Sequence, residues 1–124
     1  MNWLAVFLGG GIGSALRHGV NRLAFGILGP GFPAATIIVN VGGSLAMGLL
    51  IGALAAVPGG VSHQMRLFFA TGLLGGFTTF STFSLDALTL WERGQAGAAL
   101  AYVSASVILS LLAIAAGFFL SRAF

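Results

Sequence analysis

The sequence contains no cysteine, no lysine and only two acidic residues, Asp86 and Glu92. Without cysteine there is neither a disulfide framework nor a thiol nucleophile. Charged residues make up 6% of the chain, whereas roughly a quarter of the residues of a soluble domain are charged. Because 58% of the 124 residues are hydrophobic, the composition predicts an integral membrane protein. The five arginines are scattered and form no basic run, which argues against nucleic-acid binding.

The few polar side chains give no catalytic arrangement. Asp86 and Glu92 are six residues apart, neither has a histidine nearby, and no Ser-His-Asp or metal-ligand spacing is present. His18 and His63 lie next to the ends of apolar segments, and we expect both at the surface. We therefore expect that the protein is not an enzyme. We expect Asp86 at the membrane boundary, which favours a passive pathway over a proton-coupled one.

Four apolar segments are long enough to cross a bilayer, which requires about 20 residues per helix. Turn-forming residues separate them at 29–33, 58–60 and 92–94. The sequence predicts a single all-α, multi-pass transmembrane domain over residues 1–124, with its first span retained and not cleaved as a signal peptide. So small a bundle cannot comfortably enclose an aqueous pathway, and its many closely spaced small residues favour helix association, so we expect an oligomer. The predicted spans are residues 3–25, 33–57, 64–92 and 95–121.

The arginines give almost no preference for one orientation in the membrane. With four spans, Arg66 and Arg122 lie on one side. Arg22 and Arg93 lie on the other, joined by Arg17 if its side chain extends outward. Two interpretations remain open. Something other than charge decides a single orientation of the chain, or copies insert in both orientations and pair as an antiparallel dimer.

The third span contains the most informative run of the sequence, G-G-F-T-T-F-S-T-F-S from Gly75 to Ser84. Glycine costs a helix interior about 1 kcal/mol, and hydroxyl groups compete for the backbone hydrogen bonds of a helix. Non-helical backbone at membrane depth is tolerated only where protein or a water-filled cavity satisfies it. We therefore predict a break near residues 75–79 that lines a polar cavity.

Polar residues in the other spans each have two open interpretations. Asn40 either makes an interhelical hydrogen bond or binds an ion, as a donor to an anion or an acceptor to a cation. Arg17 either reaches the lipid headgroups or places positive charge at the mouth of an aqueous vestibule. Tyr102, Ser106 and Ser110 recur every four residues along the fourth span, as packing contacts or as a polar track along a pore wall.

Together these motifs resemble the small bacterial fluoride channels of the Fluc or CrcB family. The most specific match is the run G-L-L-G-G-F-T-T-F-S-T-F-S from Gly72 to Ser84. The resemblance extends over the whole chain, including its length and four-helix plan. Weaker supporting matches are Gly10-Gly11-x-Gly13-x-x-x-Arg17, Asn40-x-Gly42-Gly43-Ser44 and Glu92-Arg93-Gly94.

The resemblance implies a dual-topology, antiparallel homodimer with two pores that passively export cytoplasmic fluoride across the bacterial inner membrane. Phe80 and Phe83 would line the pores, since an aromatic ring is positive at its edge and offers weak contacts to an anion. Phe77 is expected to pack, and Arg17 would lie in the vestibule. The other implied pore residues are Asn40, Ser81, Thr82, Tyr102, Ser106 and Ser110.

The resemblance also implies a sodium ion at the dimer axis, held by the main-chain carbonyls of Gly75 and Thr78 from both subunits.

Two alternative functions follow from the residues. A proton-coupled drug antiporter can also have four helices and dual topology, but it needs a membrane-embedded acid in an early helix, and none precedes Asp86. A structural subunit would use the hydroxyl groups only for helix packing.

Overall fold

The computed structural model describes residues 2–29 and 31–123, and this part of the chain contains helices and turns but no strand. Met1, Pro30 and Phe124 lie outside the described residues, and Pro30 belongs to the first predicted turn at 29–33. In chain order the helical elements are α1 (Asn2–Leu28), α2 (Ala34–Ala55), α3 (His63–Arg66), a π-helical segment (Leu67–Leu74), α4 (Gly75–Phe77), α5 (Ser81–Glu92) and α6 (Ala96–Arg122).

Three helical stretches are long and apolar enough to cross a membrane: Ala34–Ala55, His63–Glu92 and Ala96–Arg122. The expectation of an all-α membrane protein is confirmed to this extent. The first helix, α1, has 27 residues and is therefore long enough, but it is not among the three. Its sequence includes Arg17 and Arg22, both of which lower its hydropathy.

The contact between α2 and α6 is the most extensive in the structure. A Cβ atom on Gly48 of α2 would overlap the carbonyl oxygen of Ile114, and a Cβ on Gly117 of α6 would overlap the carbonyl oxygen of Leu45. The two backbones can approach this closely only because neither glycine has a side chain. The prediction that small residues allow close helix association is confirmed here.

A small buried cluster joins α5 to α6. It consists of Phe83 and Leu90 from α5 with Ala99 and Tyr102 from α6. Most other large apolar side chains are exposed on the outside of the chain, and the ring of Phe119 is an example at 69%. An apolar outer surface of this kind suits lipid or a second copy of the chain, where exposure of apolar atoms carries no hydrophobic cost.

The interruption of the third helical stretch lies later than the sequence predicted. Gly75 keeps helical angles (φ −63°, ψ −37°), whereas Thr78 is extended with ψ 161°. The non-helical residues are therefore 78–80, not 75–79. The physical reason is that Gly76 packs against α1, where a Cβ would lie 3.0 Å from the Cα of Gly10. Gly76 serves helix packing, and the residues that follow carry the interruption.

The eight residues immediately before α4 form a π-helix, which no pattern in the sequence indicated. Such segments are rare and are frequently found at functional sites. This segment packs on α1, where a Cβ on Gly13 would overlap the carbonyl oxygen of Leu73. The contact fixes the part of the chain that leads into residues 78–80.

Candidate functional site

A cavity of about 260 Å³ opens beside the non-helical residues 78–80, and we call it the break cavity. Amide and hydroxyl groups face this space, and aromatic rings form much of the remaining wall. None of the lining side chains is charged. The lining residues are Asn40 and Ser44 of α2, Thr78, Thr79 and Phe80 of the interruption, Phe83 of α5, and Ser106, Val107 and Ser110 of α6.

The structure brings five of the eight predicted pore residues together around the break cavity. The other three lie elsewhere. Ser81 is exposed, Thr82 lines a different cavity, and Tyr102 is completely buried between helices. The five that share the break cavity are Asn40, Phe80, Phe83, Ser106 and Ser110.

Asn40 pairs with the backbone of Thr79 through both ends of its amide. Its Nδ2 donates to the Thr79 carbonyl oxygen at 2.8 Å, and its Oδ1 accepts from the Thr79 N–H at 2.7 Å. The interhelical hydrogen bond that the sequence left as one interpretation is therefore present. Contact between Asn40 and an ion stays a prediction.

Phe80 and Phe83 are neighbouring rings with very different environments. Their centroids lie 5.5 Å apart and their planes are tilted by 52°. Phe80 is 78% exposed, whereas Phe83 is only 8% exposed and packs on the ring of Tyr102 at 5.3 Å. Phe83 therefore belongs to the wall of the cavity and to the buried core at once, while Phe80 is held by few contacts within the chain.

Ser106 presents an unpaired hydroxyl group beside the break cavity. The residue is 4% exposed, and within the described part of the chain its Oγ has no hydrogen-bond partner. Buried hydroxyl groups nearly always have a partner, so one without a partner calls for an explanation such as a bound ion or water. Ser110 follows four residues later and lines the same cavity.

Asp86 and Tyr102 are joined by a hydrogen bond between α5 and α6. Asp86 is partly buried and its Oδ2 accepts two hydrogen bonds, while its position at the membrane boundary stays a prediction. Thr36 Oγ1 donates at 2.7 Å and the Tyr102 hydroxyl donates at 2.9 Å. Tyr102 is thus bonded to Asp86 and does not line the break cavity with Ser106 and Ser110, and a place for it in the pore stays a prediction. Asp86 gathers donors from two other helices because a carboxylate within an apolar bundle is costly without them.

A second cavity, also of about 260 Å³, is lined in part by Thr36 and Asp86, and we call it the Asp86 cavity. Its polar lining side chains are Asn21, Thr36, Thr82 and Asp86.

Sequence reasoning gave no role to Thr36, Ser44 or Thr79. The only sequence signal for Thr36 and Thr79 was a hydroxyl group at membrane depth, which could not distinguish a cavity wall from a packing contact.

Arg17 lies against the segment that precedes the interruption. Its Nε donates to the carbonyl oxygen of Gly76 at 3.2 Å, and the side chain is partly buried. In a continuous helix that carbonyl would accept from the N–H of residue 80, so Arg17 satisfies a group that the interruption frees.

The expected surface positions of His18 and His63 are confirmed, since both are exposed.

Comparison with known proteins gives a consistent result over nearly the whole chain. Residues 4–118 match the family described as CrcB-like protein, Camphor Resistance (CrcB). A protein of Methylobacterium nodulans named fluoride-specific ion channel FluC is 55% identical over 124 residues, which cover 100% of this chain and 98% of the relative. A protein of Paracoccus denitrificans with the same name is 57% identical over 120 residues, covering 97% of this chain and 94% of the relative.

A third relative, from Rhodopseudomonas palustris and also named fluoride-specific ion channel FluC, is 51% identical over 123 residues, which cover 99% of this chain and 98% of the relative. Proteins with this name are ion channels and not enzymes, which agrees with the absence of a catalytic arrangement in the sequence. Because the family match and these relatives extend over nearly all of its length, the chain belongs to the CrcB-like protein family.

Proposed function

We propose that this protein is a passive, fluoride-selective ion channel that exports cytoplasmic fluoride from bacteria. The single observation that carries the proposal is the buried, unpaired hydroxyl of Ser106 beside the break cavity. A donor without a partner is available to an anion. The names of the relatives, all fluoride-specific ion channels, identify the anion.

The chemistry of the break cavity suits weak binding of a small anion. Hydroxyl and amide groups can donate hydrogen bonds, and the edges of Phe80 and Phe83 carry partial positive charge. No arginine lines the cavity, so an anion there meets no full positive charge that would hold it tightly. Conduction requires binding that is favourable enough for entry and weak enough for release.

Passive export follows from the acid–base behaviour of fluoride. Fluoride enters cells as neutral HF, ionises at the higher internal pH and accumulates as the anion. A channel that lets the anion leave down its gradient lowers the internal concentration without a coupled proton. No acidic side chain lines the break cavity, and the Asp86 carboxylate already accepts hydrogen bonds from Thr36 and Tyr102. Both observations favour a channel over a proton-coupled antiporter.

We infer that the channel is an antiparallel, dual-topology homodimer with four spans per chain, in which α1 is the first span and the third is broken at residues 78–80. The near balance of arginines between the two sides supports insertion in both orientations. The exposed apolar outer surface of the chain, on which the ring of Phe119 is 69% exposed, suits contact with a second copy. A multi-pass protein of this kind in a bacterium belongs in the inner membrane.

We also propose that a sodium ion binds to the main-chain carbonyls of Gly75 and Thr78. In a continuous helix the Gly75 carbonyl would accept from the Thr79 N–H, but that N–H donates to Asn40. A carbonyl relieved of its helical partner suits a hard cation, which prefers oxygen ligands. Two carbonyls are too few for such a cation, so the same pair from a second subunit would complete the site. When bound, sodium would supply positive charge that joins the two subunits.

Fluoride efflux from liposomes that contain the purified protein tests the proposed function. A fluoride electrode would record rapid loss of trapped fluoride once a potassium ionophore dissipates the membrane potential, with no matching loss of trapped chloride. Protein-free liposomes serve as the control. If folded protein in liposomes released neither ion, or released chloride as readily as fluoride, the proposed function would be wrong.

A further inference from the structure

Both ends of the Asn40 side chain are already used by the backbone of Thr79. Its Oδ1 and Nδ2 are 2.7 Å and 2.8 Å from the Thr79 backbone nitrogen and oxygen. A donor and an acceptor exchanged with one residue reproduce the paired hydrogen bonds between facing residues of antiparallel strands. Such a pair holds both peptide groups that flank the Thr79 Cα, whereas a single hydrogen bond would hold only one of them. One N–H of the amide remains for any contact with an anion.

Thr79 is the middle residue of the interruption, and the backbone orientation of Thr79 determines where its neighbours in the chain lie. Thr78 precedes it with extended backbone, and Phe80 follows it with its ring beside the break cavity. The Thr79 side chain also contributes, because its Oγ1 accepts from the N–H of Thr82 in the first turn of α5 at 3.2 Å. Thr79 therefore binds the first turn of α5 through its side chain and α2 through its backbone.

We propose that Asn40 is a positioning residue that fixes the interruption, and that through the Thr79 backbone it couples the proposed cation site to the anion cavity. By withdrawing the Thr79 N–H from the helix, Asn40 frees the Gly75 carbonyl for the cation. By holding the Thr79 carbonyl, which belongs to the peptide group joined to Phe80, it orients Phe80 toward the cavity. The inference rests on the proposed function for the identity of the two ions, but the Asn40–Thr79 pairing can be tested without either.

The competing role for Asn40 is that of a simple anion donor, equivalent to Ser106. The two roles differ in what happens to Thr79 when Asn40 is changed. A positioning residue controls the Thr79 backbone and the response to sodium. A simple donor affects only the movement of fluoride. Ser106→Ala is the matched comparison, since Ser106 lines the same cavity but has no hydrogen bond to Thr79.

The direct test is nuclear magnetic resonance of the detergent-solubilised full chain labelled with 15N-threonine. The chain contains six threonines, so the spectrum is simple, and the Thr79 amide is identified by its loss in Thr79→Ser. In the wild type we expect slow hydrogen exchange at this amide. In Asn40→Ala we expect exchange that is faster by about tenfold, as for loss of one hydrogen bond, and an upfield shift of its proton.

Thermal unfolding at increasing sodium concentration measures the coupling. Asn40→Ala should require several-fold more sodium for half-maximal stabilisation, whereas Ser106→Ala should match the wild type in both measurements. Asn40→Asp is the second variant in case Asn40→Ala does not fold. Its carboxylate keeps an acceptor for the Thr79 N–H but places an oxygen against the Thr79 carbonyl, so it should disturb sodium dependence in the same direction.

Two results would overturn the inference. One is rapid exchange of the Thr79 amide in the wild type. The other is an Asn40 variant that loses fluoride efflux while its Thr79 signal and its sodium dependence match the wild type. Failure of the proposed function would look different, because wild-type protein would then release no fluoride although the Thr79 amide still responded to Asn40→Ala.

Discussion

The Tyr102 hydroxyl donates a hydrogen bond to Asp86 across 2.9 Å, and Tyr102 is not among the residues that line the break cavity. The four-residue spacing of Tyr102, Ser106 and Ser110 therefore does not produce one continuous polar track. The two serines line the break cavity, and the tyrosine belongs to a cluster with Asp86 and Thr36. Phe83 contacts both regions, since it lines the cavity and packs on the ring of Tyr102.

Tyr102→Phe tests this division. The substitution removes only the hydroxyl group, so we expect a stability loss of about 1 kcal/mol from the lost hydrogen bond to Asp86. We expect fluoride efflux to remain close to the wild-type rate, because the ring that supports Phe83 is retained. Thermal unfolding in detergent and efflux from liposomes measure the two effects. Efflux abolished at unchanged stability would instead mean that the tyrosine hydroxyl contacts the anion.

Thr36→Val is the matched control for Tyr102→Phe, because Thr36 donates to the same Asp86 oxygen at 2.7 Å. If both donors stabilise one carboxylate, the double variant should lose more stability than the sum of the single variants, since Asp86 is then left partly buried without either partner. Additive losses would show that the two hydroxyl groups stabilise Asp86 independently of each other.

Phe80→Ile and Phe83→Ile should have different effects on stability and the same effect on transport. Each removes an aromatic edge from the break cavity, so we expect fluoride efflux to fall strongly in both. Phe83 is 8% exposed and packs on Tyr102, so its replacement should also cost about 1–3 kcal/mol. Phe80 is 78% exposed, so its replacement should leave stability and the oligomeric state nearly unchanged.

Efflux and thermal unfolding of the two phenylalanine variants, with size-exclusion chromatography for the oligomeric state, decide the outcome. Normal efflux in Phe80→Ile would remove Phe80 from the pore. A large loss of stability in the same variant would show that a second copy of the chain buries the ring.

The positions of the helices could be predicted from the sequence because in lipid the length of an apolar run and its flanking turns nearly determine a span. The long helical stretches of the structure begin and end within three residues of the predicted bounds. The interruption was harder to place. Gly75 and Gly76 weaken a helix in isolation, but Gly76 packs on Gly10 of α1, and this tertiary contact keeps the segment helical. The π-helical segment had no recognisable sequence signal.

For the site, the sequence showed which residues were candidates but not which residues they would hydrogen-bond. The sequence identified the Asn40 amide and the run of hydroxyl groups as candidates, and the structure brings several of them to one cavity. Two hydrogen-bonding relationships depend on how the helices pack and could not be predicted from spacing: Asn40 pairs with Thr79, and Asp86 with Tyr102. Each joins different helices, and one-dimensional periodicity carries no information about which faces meet.

Dual topology predicts that the C-terminus lies on both sides of the membrane. A reporter fused after Phe124, such as alkaline phosphatase or green fluorescent protein in parallel fusions, should be active in both compartments of the same bacterial culture. The reason is the balance of arginines on the two sides of the four predicted spans. Adding two lysines at the C-terminus should shift the population toward one orientation. A single orientation in the unmodified chain would contradict the antiparallel dimer.

Gly48→Ala should destabilise the protein, because the new Cβ would overlap the Ile114 carbonyl oxygen and force α2 away from α6. We expect a loss of about 1–3 kcal/mol, as is usual for overpacking. Gly42→Ala is the matched control on the same helix, since Gly42 has no neighbouring atom within 4 Å of an added Cβ. It should be neutral or stabilising by up to about 1 kcal/mol. A loss for Gly42→Ala instead would indicate that a second chain packs against that face.

Ser106→Ala should reduce fluoride transport without reducing stability. The Ser106 hydroxyl is buried without a partner among the described residues, so its removal should leave stability unchanged or slightly raised, because the cost of burying an unpaired hydroxyl is relieved. If the hydroxyl donates to fluoride in the pore, efflux should fall by about tenfold or more, the size expected for one hydrogen bond to a charged group. Ser104→Ala is the control, since Ser104 lies on the same helix but is exposed, and both measurements should match the wild type. Efflux at the wild-type rate in Ser106→Ala would show that this hydroxyl is not a ligand of the anion, and a loss of stability would show that it has a partner in the assembled protein.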